Sequence, residues 1–453
     1  MTETADELWR VPSGWSWALF ADVARIAQDL AAPNEVMDLP HIAPNHMESG
    51  TRRLLSYSTV REDRVISAKQ RFFPGQILYS KIRPYLRKAV AVDFVGVCSA
   101  DVYPISPNDA VDRNYLLFWL ASEDFKLIVQ PHQGRTLLPK INQVGLSGTP
   151  VPVPPLAEQR RIVAKLDVLT ARAAAARAEL DRVPALAARY KQAVLTAAFR
   201  GDLTSDWRAN TGSTGKWTQV TLDKVAEVSG GKRLPSGHDY SPSPTPYPYF
   251  RVSNFRRGTI VSSDLKYLRH ETAVVLDRYR IHSGDLYISI AGTIGAVGSI
   301  PENVSGGFLT ENAAKIRLSD RLDERFALHF LSSQTAIDQI TQKTVATAVA
   351  KLALFRIEQI ELNLPPIAEQ KEIAKRIDIA LSEIDRLAAE AAAARRLLDR
   401  LDQAILAKAF RGELVPQDPA DEPAAALLER IRAERAGQPA QGRRRRTVAA
   451  AAG

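Results

Sequence analysis

PPLAEQRRIVAKLD, Pro154–Asp167, returns as PPIAEQKEIAKRID at Pro365–Asp378. The copies lie 211 residues apart with no gap, and the same offset carries AVLTAAFRGDL, Ala193–Leu203, onto AILAKAFRGEL, Ala404–Leu414. A repeat of this size is read before any single element, because it dictates a duplicated architecture. Both copies hold an apolar stripe in alternating steps of four and three. One runs Ile373, Ile377, Ala380, Ile384, Leu387, Ala391, Ala394, Leu398, Leu401, Ile405; the other runs Ile162, Leu166, Leu169, Ala173, Ala176, Leu180, Val183, Ala187, Tyr190, Val194. That spacing is the signature of a coiled coil.

Each stripe opens after a double proline, which suits a helix start and disfavours helix before it. The two stripes therefore predict two long helices packed as an antiparallel coiled coil, since an isolated helix gains most of its stability from packing. The alternative is that one or both lie on a neighbouring domain. Pro184 interrupts the first stripe and has Arg395 as its counterpart, so a kink or break is expected in the first helix alone. Leu387 falls in the expected seam and should not tolerate a charge.

The chain of 453 residues has room for two to four domains with real cores. Its single cysteine, Cys98, excludes an intramolecular disulfide and a cysteine-built zinc site, and suits a reducing compartment. The polar start MTETADELWR is no signal peptide, and no run of about 18 apolar residues offers a membrane span, so a cytoplasmic protein is expected. Of the net charge of +9, Arg443–Arg446 supply four, in a Gly/Ala/Arg-rich tail expected to be disordered. The remaining +5 is compatible with nucleic-acid contact without establishing it.

The repeat divides the chain into residues 1–153, a first mixed α/β domain; 154–204, a helical spacer; 205–216, a polar linker; 217–364, a second domain; 365–415, a second spacer; and 416–453, a C-terminal extension. Trp15 aligns with Trp217, Val23-Ala24 with Val225-Ala226 and Ile26 with Val228, at a shift of 202 that marks two related but diverged domains. The fold class is thus α+β with a pseudo-two-fold internal repeat.

In the first domain, strands are expected around Gln76–Ser80 and Ala89–Val97, and a helix near Asn114–Val129. Lys81, Arg83, Arg87 and Lys88 sit on or beside a Pro-pinned turn between the strands, with Arg135 and Lys140 in a second polar loop. In the second domain the candidates are Lys232 and Arg233 after a Gly-Gly turn, Arg251, Asn254, Arg256 and Arg257 in YFRVSNFRRG, Thr293 in GDLYISIAGTIGAVG, and Lys351. Such residues suit phosphates and base edges, and a solvated charge run is the plain alternative. Gly292, Gly295 and Gly298 lack the dinucleotide and P-loop spacings and read as tight turns or close backbone approaches. His41 and His46 read as ordinary loop histidines, and no catalytic motif is present.

PPLAEQRRIVAKLD…AAFRGDL and PPIAEQKEIAKRID…AKAFRGEL resemble the two conserved helical regions of type I restriction–modification specificity subunits. GQILYSKIRPYLRKA and GDLYISIAGTIGAVG resemble stretches of that family's target recognition domains. The resemblance implies a non-catalytic protein whose two domains each read half of a bipartite target in double-stranded DNA. It implies docking of two adenine-N6 methyltransferase subunits on the helices, with Glu158, Gln159, Phe199, Arg200, Glu369, Gln370, Phe410 and Arg411 as candidate contacts; helix capping by the acidic residues is an equal reading. Two translocase/nuclease subunits complete the restriction enzyme, and S-adenosylmethionine, ATP and magnesium belong to the partners, with no cofactor in this chain. A helix over 156–200 would span about 65–70 Å at roughly 1.5 Å per residue, more than one DNA turn of about 34–36 Å. A coiled-coil scaffold without a DNA role, or a nuclease or methyltransferase in its own right, are the rival readings.

Overall fold

The computed structural model describes residues 8–132, 138–213, 215–256, 258–342 and 351–437. Its principal helices are α1, Arg113–Leu120; α2, Leu156–Leu180; α3, Val183–Arg200; α4, Glu324–Leu331; α5, Ile367–Phe410; and α6, Ala424–Gly437. The first long stripe is broken between α2 and α3, with Pro184 in the first turn of α3, where a missing N–H is tolerated. The second runs unbroken for 44 residues. Two compact units result. Unit 1 comprises residues 1–180 and 394–453, and unit 2 residues 181–393.

Within unit 1, Ile162, Val163 and Leu166 of α2 share a core with Leu406, Ala409 and Phe410 of α5, while Arg177 at the far end of α2 reaches Asp399 at 3.3 Å. Residue numbers rise along one helix as they fall along the other, so the pair is antiparallel. Within unit 2, Leu195 and Ala198 of α3 share a core with Ile373, Ala374 and Ile377 of α5, and Lys191 pairs with Asp385. The seam is closed only where the helices meet a domain. Leu387 is 50% exposed, so the expectation that it is a buried seam residue is corrected. The middle of both stripes is alanine-rich and carries too little side chain to cover its larger neighbours.

The two units repeat one plan. In unit 1 a strand Ser16–Leu19 pairs antiparallel with Pro150–Val153, bringing the start of the domain to the double proline at its end. Thr218–Thr221 and Glu361–Leu364 do the same in unit 2. Each unit has a four-stranded antiparallel sheet of the same order: Ala24–Ile26, Val102–Pro107, Gln76–Ser80, Ala89–Val92 in unit 1, and Ala226–Gly230, Ala313–Leu318, Asp285–Ser289, Val297–Ser299 in unit 2. A second sheet in each contains one parallel pairing, His41 opposite Val97 and Tyr249 opposite Phe308. The helix expected near Asn114–Val129 is two, α1 and Glu123–Val129, with Ser122 capping the second by accepting from Phe125 N–H.

Two segments are more ordered than their composition suggests. The polar stretch after Leu203 is not a free linker: Ser205–Thr211 is helical, and Thr204 and Arg208 both donate to Glu369. In the C-terminal extension, α6 buries Ala424, Leu427, Leu428 and Ile431 in the core of unit 1, and Arg432 pairs with Asp22 at 2.6 Å. The arginine run 443–446 lies outside the described residues. No helix among the described residues is long and apolar enough to cross a membrane.

Candidate nucleic-acid interface

In unit 1 the turn after the central strand Gln76–Ser80 is tied down on both sides. Lys81 N–H donates to Asp101 O at 2.9 Å, Ile141 N–H donates to Lys81 O at 3.0 Å, and Ile82 bridges to Lys140. In unit 2 Ile290 N–H donates to Asn312 O at 2.8 Å, Leu352 N–H donates to Ile290 O at 2.9 Å, and Ala291 bridges to Lys351. Lys140 and Lys351 are themselves 211 residues apart. The backbone thus brings one lysine beside one strand-connecting turn in each unit, at equivalent places.

The two turns differ in a telling way. Unit 2 uses Gly292 and Gly295 at φ +76° and +83°. Unit 1 places Arg83 and Arg87 at φ +47° and +52°, a left-handed conformation that disfavours side chains. Their roles then separate. Arg87 is drawn inward, donating to Ala121 O at 3.3 Å and Gln403 Oε1 at 3.0 Å and pairing with Glu123. Lys88 donates to Pro44 O at 2.7 Å. Both are thus engaged inside unit 1, where they act as internal ties. Arg83 stays exposed, Lys81 lies over the Tyr103 ring at 5.2 Å, and Lys140 is exposed with Asp101 at 3.2 Å. Arg135 lies outside the described residues. A small cleft of about 210 Å³ beside them is lined by Gln28, Lys69, Gln70, Lys81, Tyr103 and Gln143.

Unit 2 has a larger cleft, about 560 Å³, whose walls include Arg233, Tyr240, Tyr249, Arg251, Glu311 and Asn312. Gly231 makes it possible: a Cβ there would stand 2.2 Å from Thr310 O, so only glycine lets the Gly-Gly turn close onto Leu309–Thr310. That approach sets Arg233 2.8 Å from Glu311. Burial alone would raise the Glu311 carboxyl, but hydrogen bonds from Thr310 and Arg233 prevail and hold it below its ordinary range. Tyr249 donates to Lys232 O at 2.9 Å, and burial pushes its hydroxyl up to about 12. Its ring lies 5.6 Å from that of Tyr240. Lys232 is exposed.

Arg251 pairs with Asp264 at 2.7 Å at the edge of the cleft. Asn254 is buried, accepting from Arg251 N–H at 2.9 Å, which corrects it from a base reader to a turn cap. Arg256 is exposed on a short strand opposite Thr259, and Thr293 and Lys351 are exposed; Arg257 lies outside the described residues. Tyr240, Glu311 and Asn312 were not singled out from sequence.

The AEQ motifs have a different role from the one expected. Glu158, Gln159, Glu369 and Gln370 are all buried. Glu158 accepts the Trp15 indole N–H at 3.0 Å, and Glu369 accepts that of Trp217 at 3.1 Å. Gln159 accepts from Asp112 N–H and donates to Ala110 O and Pro154 O. Gln370 repeats this with Asp323, Arg321 and Pro365. Asp112 and Asp323 in turn cap α1 and α4. The docking expectation for these four side chains is corrected: they lock each long helix to its own domain. Phe410 is likewise enclosed, its ring 4.9 Å from Trp119 and 5.4 Å from Tyr115, and Phe199 packs on Phe326 and Phe330. Arg200 and Arg411 remain exposed, Arg411 over the Trp9 ring.

His41 bonds Asp63 at 2.7 Å and His46 accepts from Ala43 N–H, and among the described residues no His, Cys, Asp or Glu group is arranged to hold a metal.

Each copy of the duplicated α/β module carries its own antiparallel helix pair and sets one lysine beside an equivalent strand-connecting turn, the plan of a two-domain recognition protein. The family model for the type I restriction modification DNA specificity domain matches this chain twice, over residues 24–184 and 214–391. The chain belongs to the type I restriction–modification specificity subunits, the non-catalytic DNA-binding members of those systems. It is 45% identical to the EcoDI specificity subunit of Escherichia coli over 203 residues, 45% of each chain. It is 26% identical to the EcoKI specificity subunit of Escherichia coli K12, over 94% of this chain and 97% of that one. The crystal structure of the HsdS subunit from Thermoanaerobacter tengcongensis shares the fold, with a TM-score of 0.65 and 21% identity over 91% of this chain and all of that chain.

Proposed function

We propose that each recognition domain reads one half of a bipartite DNA target, with the turn-and-lysine cluster as its contact face. The observation that carries this is the pair of equivalent bridges, Ile82 to Lys140 and Ala291 to Lys351. They gather Lys81, Arg83 and Lys140 in unit 1 and set Lys351 beside the Thr293 turn in unit 2, whose cleft is lined by Arg233 and Glu311. Cationic side chains hold phosphates and set register, while Arg and Asn read base edges.

The helices serve as docking surface for two adenine-N6 methyltransferase subunits. In unit 1 an apolar groove of about 670 Å³ runs along the helix pair, with Leu397 58% and Leu401 50% exposed. In unit 2 Leu186, Tyr190, Ile379 and Leu387 are exposed on the same helix pair. An internal repeat offers two like sites, which fits two copies of one partner. In this reading S-adenosylmethionine, ATP and magnesium are carried by the methyltransferase and by two restriction/translocase subunits, and the assembly works in the cytoplasm.

The test is to exchange residues 217–364 for those of a relative and map methylated adenines genome-wide in cells supplying the partners. One half of the recognised sequence should change while the other half and the spacing stay. A change in both halves, or in neither, would refute the assignment of one half-site to each domain.

A further inference from the structure

Arg233 and Glu311 form a side-by-side pair at the edge of the unit 2 cleft. Arg233 Nε donates to Glu311 Oε1 at 2.9 Å and Nη2 lies 2.8 Å from the same oxygen. This leaves the Nη1–Nη2 edge of the guanidinium unused by the carboxylate. Glu311 Oε2 accepts from Thr310 Oγ1 at 2.8 Å and keeps acceptor capacity toward the cleft. The pair thus presents two donors and then an acceptor.

We propose that Arg233 and Glu311 together read a single G·C base pair of the second half-site through the major groove. This rests on the reading of unit 2 as a DNA-recognising domain. In the major groove a G·C pair shows guanine N7 and O6 as acceptors, followed by the cytosine N4 amino donor. The guanidinium edge meets the first two and Glu311 meets the third. An A·T pair sets thymine O4, an acceptor, against the carboxylate and is rejected. The cleft balances Arg233 and Arg251 against Asp239 and Glu311, and a carboxylate is repelled by phosphates, so such a lining suits base edges better than backbone. Gly231 fixes the approach that brings the two side chains together.

Arg233 is exposed and Glu311 half-buried, and Arg233→Lys and Glu311→Gln keep the size and polarity of each side chain. Complexes of the full chain with its methyltransferase partners are prepared as wild type, Glu311→Gln and Arg233→Lys, and their methylated adenines mapped genome-wide. Binding to duplexes carrying each base-pair substitution is measured alongside. The wild type should require G·C at one position of the half-site read by unit 2. Each variant should lose about 5- to 150-fold discrimination there and nowhere else, with the complex still folded at the assay temperature. A wild-type complex that methylates no fixed motif overturns the DNA reading of unit 2 as well. A wild-type bipartite motif that both variants leave equally strict at every position, or relax uniformly, overturns the Arg233–Glu311 assignment alone.

Discussion

Trp15 donates its indole N–H to Glu158 at 3.0 Å across 143 residues of sequence, and so fastens the first recognition domain to the start of α2. Trp217 and Glu369 repeat the bond, but their surroundings differ. Glu369 also receives Thr204 and Arg208, whereas Glu158 has one oxygen buried without a partner.

The unequal partners predict unequal responses to removing the charge. Glu158→Gln keeps an acceptor for Trp15 and should alter stability by no more than about 1 kcal/mol. Glu369→Gln strips a charged acceptor from Arg208 and should cost about 1.5–3 kcal/mol. Burial raises the Glu158 carboxyl above its ordinary value. Its stabilising contribution is therefore complete below the unfolded carboxylate pKa and is lost as pH rises through the elevated folded one. Denaturant titrations carried upward in pH from the ordinary glutamate range should show this decline in the wild type and a flatter profile in Glu158→Gln.

Removing Gln159 or Gln370 should damage folding rather than docking. Each amide makes three hydrogen bonds that hold the Pro-Pro turn and the next helix cap together. Alanine at either position leaves buried backbone groups unpaired, at about 1–3 kcal/mol for each group stranded. The check is a shifted denaturation midpoint, with partner affinity unchanged once the protein is folded.

Along α5, position decides the effect of a charge. Ile377→Asp places a carboxylate in the unit 2 core and should prevent stable folding. Leu387→Asp and Leu401→Asp lie on half-exposed positions and should cost less than about 1 kcal/mol. Pull-down with the methyltransferase subunit separates the two effects, since the exposed variants should fold and bind it more weakly.

Arg83 and Arg87 share a strained backbone but not a role. Arg83→Gly relieves a left-handed φ and should raise stability by up to about 1 kcal/mol while weakening DNA binding. Arg87→Gly relieves the same strain and loses the ties to Ala121, Glu123 and Gln403, so it should give a net loss of stability. Thermal melts and DNA titrations of both variants test the split. A gain in stability for Arg87→Gly would remove its structural role.

The sequence was legible wherever the repeat imposed a constraint. The offset of 211 identified both helices, and Pro184 marked the break in one of them. Four-and-three spacing reports the phase of a stripe and not what covers it, which is why Leu387 was placed too deep. An acidic residue in a first helical turn reads equally as a cap or a contact, and the burial of Glu158 depends on a tryptophan 143 positions away. Arg87 and Lys88 resembled Arg83 in sequence because their acceptors, Gln403 and Pro44, come from distant segments. Glu311 carries the wrong sign to stand out where positive charge is the signal of nucleic-acid contact. The equivalence of the two lysines is itself written in the sequence, since Lys140 and Lys351 keep the same offset as the helices.

The docking of α6 into the core of unit 1 has a consequence for synthesis on the ribosome. Trp9 donates to Phe410 O across 401 residues, and Arg432 meets Asp22 across 410. The first domain to emerge thus waits, with Trp119 and Tyr115 uncovered, until residues 394–431 have been made, while residues 181–393 can complete their own core sooner. The earliest-made surface is the one exposed longest to aggregation and to nascent-chain chaperones. A ribosome that stops short of Ala424 releases a chain whose lesion lies in its first domain.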